Sequence, residues 1–287
     1  MTDYNLIFDT ATAAFVQTAT LAYPKGTNDL PMSEQRQIYD QFCRQFYRVS
    51  DVQGKDHHIA GVQCRIYDGA EPCVIYLHGG GFVMGSLDSY DEICANIASA
   101  TGQRVICVAY RLSPEHVHPA ALTDALSVTR AVMGPVVLVG DSAGGTLAAA
   151  VAQQVTVLGQ LLVYPMLGGD PTKGSYMTHA LAPMLTTADV AYYNTVRGPV
   201  VDATTHPLLA TDFSNLPPTI AFGAECDPLC DDARNYAAAI TAAGGKAMFV
   251  CEQGLPHGYL RARHSVLRAA DSFARICSAI SSLGGQA

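Results

Sequence analysis

Charge is scarce in this sequence of 287 residues: only 15% are Asp, Glu, Lys or Arg, and no Lys/Arg-rich run occurs anywhere. The formal net charge is −8, which argues against a nucleic acid or an anionic membrane surface as partner. The acidic residues are scattered, as on a solvated surface. No apolar stretch reaches the length of a bilayer span. The opening Met1-Thr2-Asp3-Tyr4 carries no basic segment followed by an apolar run, so a signal peptide is not expected. Nine cysteines are present, but no C-x-x-C pair, and none has a His partner at zinc-site spacing. Only Cys226 and Cys230 are close in sequence, while Cys73, Cys107 and Cys251 fall inside strand candidates, where free thiols pack as small apolar groups. An odd number of such residues fits a reducing, cytoplasmic setting. No internal repeat and no low-complexity tract is present.

What the chain does have is apolar content, 49% of residues, enough for one large α/β domain with an insertion, or for two domains. Residues 1–48 read as helical, with apolar positions such as Leu6, Phe15, Val16, Ile38, Phe42 and Phe46, and the stretch Pro24 to Pro31 breaks them into two helices. His57 to Ala60 and Gln63 to Tyr67, separated by Gly61, read as a hairpin. From residue 72 the pattern changes to near-continuous apolar runs: Cys73–Leu77, Arg104–Tyr110, Val136–Val139, Gln160–Tyr164, Thr219–Phe222 and Ala247–Cys251. Such runs suit parallel strands covered on both faces. Helical stretches lie between several of them, one being Tyr90–Ala100 with Ser89 and Glu92 as a capping box. The alternation predicts a doubly wound α/β sheet. It is interrupted over 166–216, a connection long enough to be a lid or insertion, which holds a helix-like piece from Thr187 to Val196. The expected organisation is N-terminal cap helices in 1–48, a main α/β domain in 49–165 and 217–287, and a cap insertion in 166–216.

The chain is organised around Gly140-Asp141-Ser142-Ala143-Gly144-Gly145, between the β-branched run Val136–Val139 and a small-residue helix candidate. This is the strand–turn–helix context of a G-x-S-x-G nucleophile elbow. The turn is strained, and glycine on either side removes the Cβ atoms that would collide there. An activated serine needs a base, an orienting acid and donors for the oxyanion. For the acid, Asp227 stands just past the strand Thr219–Phe222; it also suits a helix cap, and Glu225, Asp231 and Asp232 compete with it. For the base, His257 follows the strand Ala247–Cys251 through a Gly/Pro-bearing loop, whereas His264 reads as a surface residue of a helix. For the donors, His78-Gly79-Gly80-Gly81-Phe82 follows a strand, and three successive glycines suit close approach of backbone amides. The amides of Gly79, Gly80 and Ala143 are the candidates, with His78 structural. Asp141 reads as fixing the elbow through backbone hydrogen bonds.

Five segments together resemble the hormone-sensitive-lipase-like branch of α/β-hydrolase esterases, in the bacterial GDSAG group. They are His78-Gly79-Gly80-Gly81-Phe82, Tyr110-Arg111-Leu112-Ser113-Pro114-Glu115, Gly140–Gly145, Asp227-Pro228-Leu229 and His257-Gly258-Tyr259. The resemblance implies an α/β-hydrolase fold: a mostly parallel central sheet with helices on both faces, and a helical cap from the N-terminus and an insertion. It implies Ser142 as nucleophile, His257 as base, Asp227 as its partner, and an oxyanion hole from Gly79, Gly80 and Ala143. Cap helices would border the acyl and alcohol pockets, with Phe82, Met84, Tyr192, Tyr193 and Leu208 as candidates to line them. Ser113 and His118 depart from the family's usual Ala and aromatic, and no Trp occurs in the chain, where relatives often place one at the position of Tyr192 and Tyr193. These departures bear on pocket shape. Arg111 and Glu115 read as a structural ion pair. The expected activity is hydrolysis of short-chain acyl esters without cofactor or metal. An arylformamidase-like amide hydrolase and a non-catalytic small-molecule receptor on the same fold are the alternatives. The resemblance also allows a homodimer.

Overall fold

The computed structural model describes residues 2–24, 26–48 and 50–285. Met1, Lys25 in the break between the first two helices, Val49 at the expected domain boundary, and the last two residues lie outside that description. The chain opens with α1 (Thr10–Ala22) and α2 (Met32–Gln45). Asp9 starts α1 by accepting the Thr12 N–H at 2.7 Å, satisfying one of the orphan amides of the first turn. A hairpin follows, β1 (Lys55–Ile59) and β2 (Val62–Tyr67), turning on Gly61 at φ 81°. Alternation then sets in: β3 (Ala70–Leu77), α3 (Leu87–Thr101), β4 (Gln103–Val108), α4 (Ala120–Ala131), β5 (Val136–Asp141), α5 (Ala143–Ala152) and β6 (Gly159–Val163). The short α6 (Gly174–Thr178) and α7 (Thr187–Arg197) stand between β6 and β7 (Thr219–Cys226), and α8 (Cys230–Ala242), β8 (Ala247–Pro256) and α9 (Leu267–Gly284) complete the chain.

The strands form one eight-stranded sheet in the order β1-β2-β4-β3-β5-β6-β7-β8. β1 and β2 are antiparallel to each other and β2 to β4; every other pair is parallel. Side chains alternate across the pleat, and here both faces are buried. Cys73, Ile75, Leu77, Val136 and Leu138 pack toward Leu122 of α4, Leu147 of α5 and Tyr236 of α8. Their neighbours Val74, Tyr76, Val137 and Val139 pack toward Ile93 and Ile97 of α3 and Ile276 and Ile280 of α9. That double burial is why the strands read as continuous apolar runs rather than alternating ones. Parallel pairing also brings the C-terminal ends of β3, β5, β7 and β8 to a single rim. The residues that follow them, His78, Ser142, Asp227 and His257, therefore share one edge of the sheet.

The structure corrects several local readings. α3 begins one turn earlier than Ser89: Ser86 is its cap, accepting the Ser89 N–H at 3.1 Å while the Ser89 hydroxyl accepts the Ser86 N–H at 2.8 Å. Glu92 is thereby freed for a buried pairing with Arg263 at 3.2 Å, and its other oxygen meets His264 at 2.6 Å. His264 is exposed but lies in a turn ahead of α9 rather than in a helix. Arg111 and Glu115 do not pair with each other. Arg111 reaches Asp124 of α4 at 2.8 Å, and Glu115 takes Arg36 of α2 at 2.7 Å, because these partners from other elements lie within ion-pair reach. β5 runs on to Asp141 and β8 to Pro256, whereas β4 stops at Val108, leaving Tyr110 free to stack elsewhere.

Gly144 and Gly102 separate steric from conformational demand. A Cβ on Gly144 would land on the Leu77 and His78 carbonyls, whereas at Gly102 (φ 69°) nothing lies within 4 Å. Gly144→Ala is expected to cost about 3 kcal/mol or more by overpacking, and Gly102→Ala about 1 kcal/mol by left-handed strain alone. Urea unfolding of the two variants checks the order; equal losses would contradict the packing described.

Candidate active site

Ser142 sits between β5 and α5 at φ 53° and ψ −119°, a conformation that costs a non-glycine residue about 1–3 kcal/mol unless the surroundings impose it. They do. The Ser142 N–H donates to the Val163 carbonyl at 2.9 Å and its own carbonyl accepts from Met166 N–H at 3.2 Å. Gly140 and Gly144 are pressed together so that a Cβ on the first would meet the carbonyl of the second. The result is a side chain projecting from the sheet rim at the N-terminus of α5.

His257 meets that side chain. Its Nε2 lies 3.0 Å from Ser142 Oγ, and its Nδ1 lies 2.6 Å from Asp227 Oδ2. An ionised carboxylate only accepts, so the Nδ1–H donates to Asp227 and Nε2 is left to accept from the serine hydroxyl. Asp227 is fully buried, and its other oxygen accepts the Leu229 N–H at 2.9 Å. The Tyr164 ring packs 4.7 Å from the imidazole. The competing acids are all engaged elsewhere. Glu225 accepts the Gly254 N–H at 2.6 Å. Asp231 accepts the Ser175 N–H at 3.0 Å and pairs with Arg234 at 2.6 Å. Asp232 holds the amides of Leu167 and Gly168 and the Tyr176 hydroxyl, with burial pushing its carboxyl up to about 7. Asp231 and Asp232 pin the start of the 166–216 segment to α8.

The glycine loop departs from the expected donor set at one residue. The Gly79 N–H donates to Asp141 Oδ1 at 2.9 Å, so this amide is already engaged. Gly80 (φ 122°) and Gly81 (φ 61°) follow it and line the same cavity as Ser142. Their amides have no hydrogen-bond partner among the described residues. Ala143, the first residue of α5, has no acceptor within its own helix, and the helix dipole adds to the positive potential there. Gly80, Gly81 and Ala143 are therefore the candidate oxyanion donors, and Gly79 is a support. Asp141 also accepts the hydroxyls of Tyr76 and Tyr90, each at 2.9 Å. Burial pushes its carboxyl up, opposed by these hydrogen bonds and by the charge of Arg261.

His78 holds the loop from behind. Its ring stacks on Tyr110 with centroids 4.3 Å apart, its Nδ1 lies 2.8 Å from the Gly79 carbonyl, and its own carbonyl accepts the Tyr110 hydroxyl at 2.6 Å. Burial lowers its pKa to about 4, so it is a neutral spacer and a hydrogen-bond donor.

A cavity of about 660 Å³ opens over Ser142 and His257. Of the residues expected to line it, Met84 and Tyr193 do so, and Phe82, Tyr192 and Leu208 do not. Phe82, at φ 66°, is buried beneath the Arg197 guanidinium, 4.6 Å from its ring centroid. The Tyr192 hydroxyl turns to Gln35 of α2 at 3.2 Å, and Leu208 packs on the core beside α5. The lining residues that sequence reasoning did not assign come from the N-terminal segment (Tyr23, Tyr39 and Phe42), from the insertion (Met184) and from beyond His257 (Arg261). Phe42 stood out as an apolar position, but nothing local tells which cavity such a residue faces. Among the described residues no group of three His, Cys, Asp or Glu side chains converges as a metal site.

Comparison with known proteins places this geometry in context. Residues 74–261 match the family described as alpha/beta hydrolase fold. Esterase LipI of Mycobacterium tuberculosis is 38% identical over 210 residues, 66% of this chain and 66% of that protein. Ethyl acetate hydrolase of Pseudomonas putida is 33% identical over 223 residues, 70% of each chain. Among solved structures, DphMB1 superimposes with a TM-score of 0.85 at 32% identity, covering 96% of this chain and 100% of that one.

The neutral state of His78 has a pH signature. The unfolded chain binds a proton at this residue below its ordinary value of 6.5, and the folded chain only below about 4. Relative to His78→Asn, wild-type stability is therefore full above pH 6.5 and declines as pH falls toward 4, by about 3 kcal/mol in all. Chemical denaturation of both proteins across that window checks it; a difference independent of pH would mean that the ring is not held neutral.

Proposed function

The chain belongs to the α/β-hydrolase fold family and is a carboxylic ester hydrolase of its hormone-sensitive-lipase-like branch; from that premise we propose that it is a serine carboxylesterase acting on short-chain acyl esters through Ser142, His257 and Asp227. The observation that carries the reading is the unbroken hydrogen-bond line from Ser142 Oγ to His257 at 3.0 Å and on to Asp227 at 2.6 Å. A base in contact with its nucleophile at a strained elbow is an arrangement for acyl transfer.

In this reading Ser142 Oγ attacks the ester carbonyl while His257 Nε2 takes its proton. Asp227 keeps the imidazole in the required tautomer and stabilises the imidazolium. The carbonyl oxygen gains the negative charge and meets the amides of Gly80, Gly81 and Ala143, each such donor being worth roughly 10²–10³ in rate. Collapse of the adduct breaks the bond to the alcohol, which leaves with the proton from His257. A water then attacks the acyl-enzyme, gives a proton to His257, and the acid departs as Ser142 recovers its own. The helices α1, α2 and α7 act as the cap, since residues of all three line the cavity. Its volume lies in the range of small-molecule sites, and the kinship with an ethyl acetate hydrolase supports short acyl chains. The nine cysteines, all without disulfides, support a cytoplasmic site of action.

Hydrolysis of p-nitrophenyl esters from acetate to dodecanoate tests this. kcat/KM is expected to peak at the short end and to fall by at least ~10³-fold in Ser142→Ala and Asp227→Asn, with unfolding midpoints showing that both variants are folded. A maximum at long chains would remove the short-acyl assignment. Turnover that survives in folded Ser142→Ala would remove the nucleophile.

A further inference from the structure

The esterase cavity contains a cation that the hydrolytic cycle does not use. Arg261 lies four residues beyond His257, in the 3₁₀ turn Tyr259–Ala262, and it lines the same cavity as Ser142. Its guanidinium stands over the Tyr90 ring at 4.8 Å, with the Tyr39 and Phe42 ring centroids at 5.6 and 5.9 Å. Two hydrogen bonds hold it, Nη1 to the Ser89 carbonyl at 2.9 Å and Nη2 to the Tyr39 hydroxyl at 3.3 Å. A guanidinium has five N–H donors in a planar fork, so most of its capacity is unassigned. Among the described residues it forms no ion pair, unlike Arg36, Arg65, Arg111, Arg263 and Arg275, each of which has a carboxylate partner.

The carboxylates nearby do not fill that role. Asp141 and Asp40 act on Arg261 through space only; Asp88 and Glu92, which share a small second cavity with it, are paired with Arg65 and with Arg263 and His264. Asp141 is committed to Gly79, Tyr76 and Tyr90. Asp189, the other acidic residue of the lining, is held by Thr186 and by the Asn28 amide. A guanidinium kept in an aromatic-walled cavity without a counterion is an arrangement for a planar anion, which it can bind through two parallel hydrogen bonds.

We propose that Arg261 is a specificity-determining residue that binds a free carboxylate on the substrate, so that the preferred esters are half-esters of short dicarboxylic acids. This rests on the esterase reading and narrows its substrate class. The carboxylate of the acyl part docks on the Arg261 fork among Tyr39, Phe42 and Tyr90, while the ester carbonyl stands at Ser142. Reaction at the ester bond is unchanged; the second carboxylate is neither made nor consumed.

The test compares kcat/KM for the monoethyl esters of succinic, glutaric and adipic acids with that for neutral isosteres, in which a branched alkyl end replaces the carboxylate. Wild type, Arg261→Lys and Arg261→Met are assayed by acid release, each checked for folding by thermal unfolding. At one or more chain lengths the wild type is expected to favour the half-ester by ~10-fold or more, chiefly through KM. Arg261→Met is expected to remove that preference and Arg261→Lys to retain part of it. Three results overturn the proposal: neutral isosteres preferred by the wild type at every length, a preference unchanged in Arg261→Met, or equal loss on both ester types. The last would make Arg261 a counter-charge for Asp141 instead. Turnover of neutral esters alone leaves the esterase reading standing while this inference falls, whereas no turnover of either type by the wild type removes both.

Discussion

Asp141 is the group on which the site depends. A carboxylate buried this deeply is tolerated only if its oxygens are satisfied. Here they are satisfied by three donors from separate parts of the chain: the Gly79 amide of the loop after β3, the Tyr76 hydroxyl from β3 itself, and the Tyr90 hydroxyl from α3. Asp141 is also the residue before Ser142, so the same contact that satisfies it fixes the glycine loop beside the elbow. The line continues outward. The Tyr90 and Tyr39 hydroxyls lie 3.3 Å apart, and Tyr39 belongs to α2. Arg36 of α2 donates to the Val83 carbonyl at 2.8 Å and to the Ser113 carbonyl at 3.0 Å. An N-terminal helix is thus tied to the loop that carries the proposed oxyanion donors.

Backbone sterics supply the other constraint. Gly144 presses on the carbonyls at the end of β3 and Gly145 on Pro165 after β6, so the first turn of α5 sits closer to the sheet than any side chain permits. That proximity holds Ser142 in its strained conformation and aims the α5 N-terminus at the space above it. Strain at the elbow is offset by burial of the surroundings: every residue of β5 and α5 is buried.

The parts of the fold legible in the sequence are those with local causes. β-branched runs covered on both faces look the same wherever they occur, and glycines required by a close approach mark the elbow and the loop after β3. Ser142, Asp227 and His257 stand out in the sequence by their posts after β5, β7 and β8, and parallel topology brings them within hydrogen-bond distance. The misread features depend on distant partners. Gly79 looks like its glycine neighbours until Asp141 is seen to take its amide. Phe82 looks like a pocket wall until Arg197, more than a hundred positions later, covers it. Arg111 and Glu115 looked like partners because they are close in sequence, but α4 and α2 offered better ones. Arg261 had no signal at all, because an arginine in a turn is ordinary until the aromatic residues of α2 and α3 enclose it.

The role assigned to Ser142 is tested most directly by covalent labelling. The protein would be titrated with an organophosphonate that reacts only with an activated serine, and the adduct located by peptide mass mapping while residual esterase activity is followed. One adduct per chain, on Ser142, with activity lost in proportion to labelling, is the predicted result. Labelling at any other residue, or complete loss of activity with Ser142 unmodified, would contradict it.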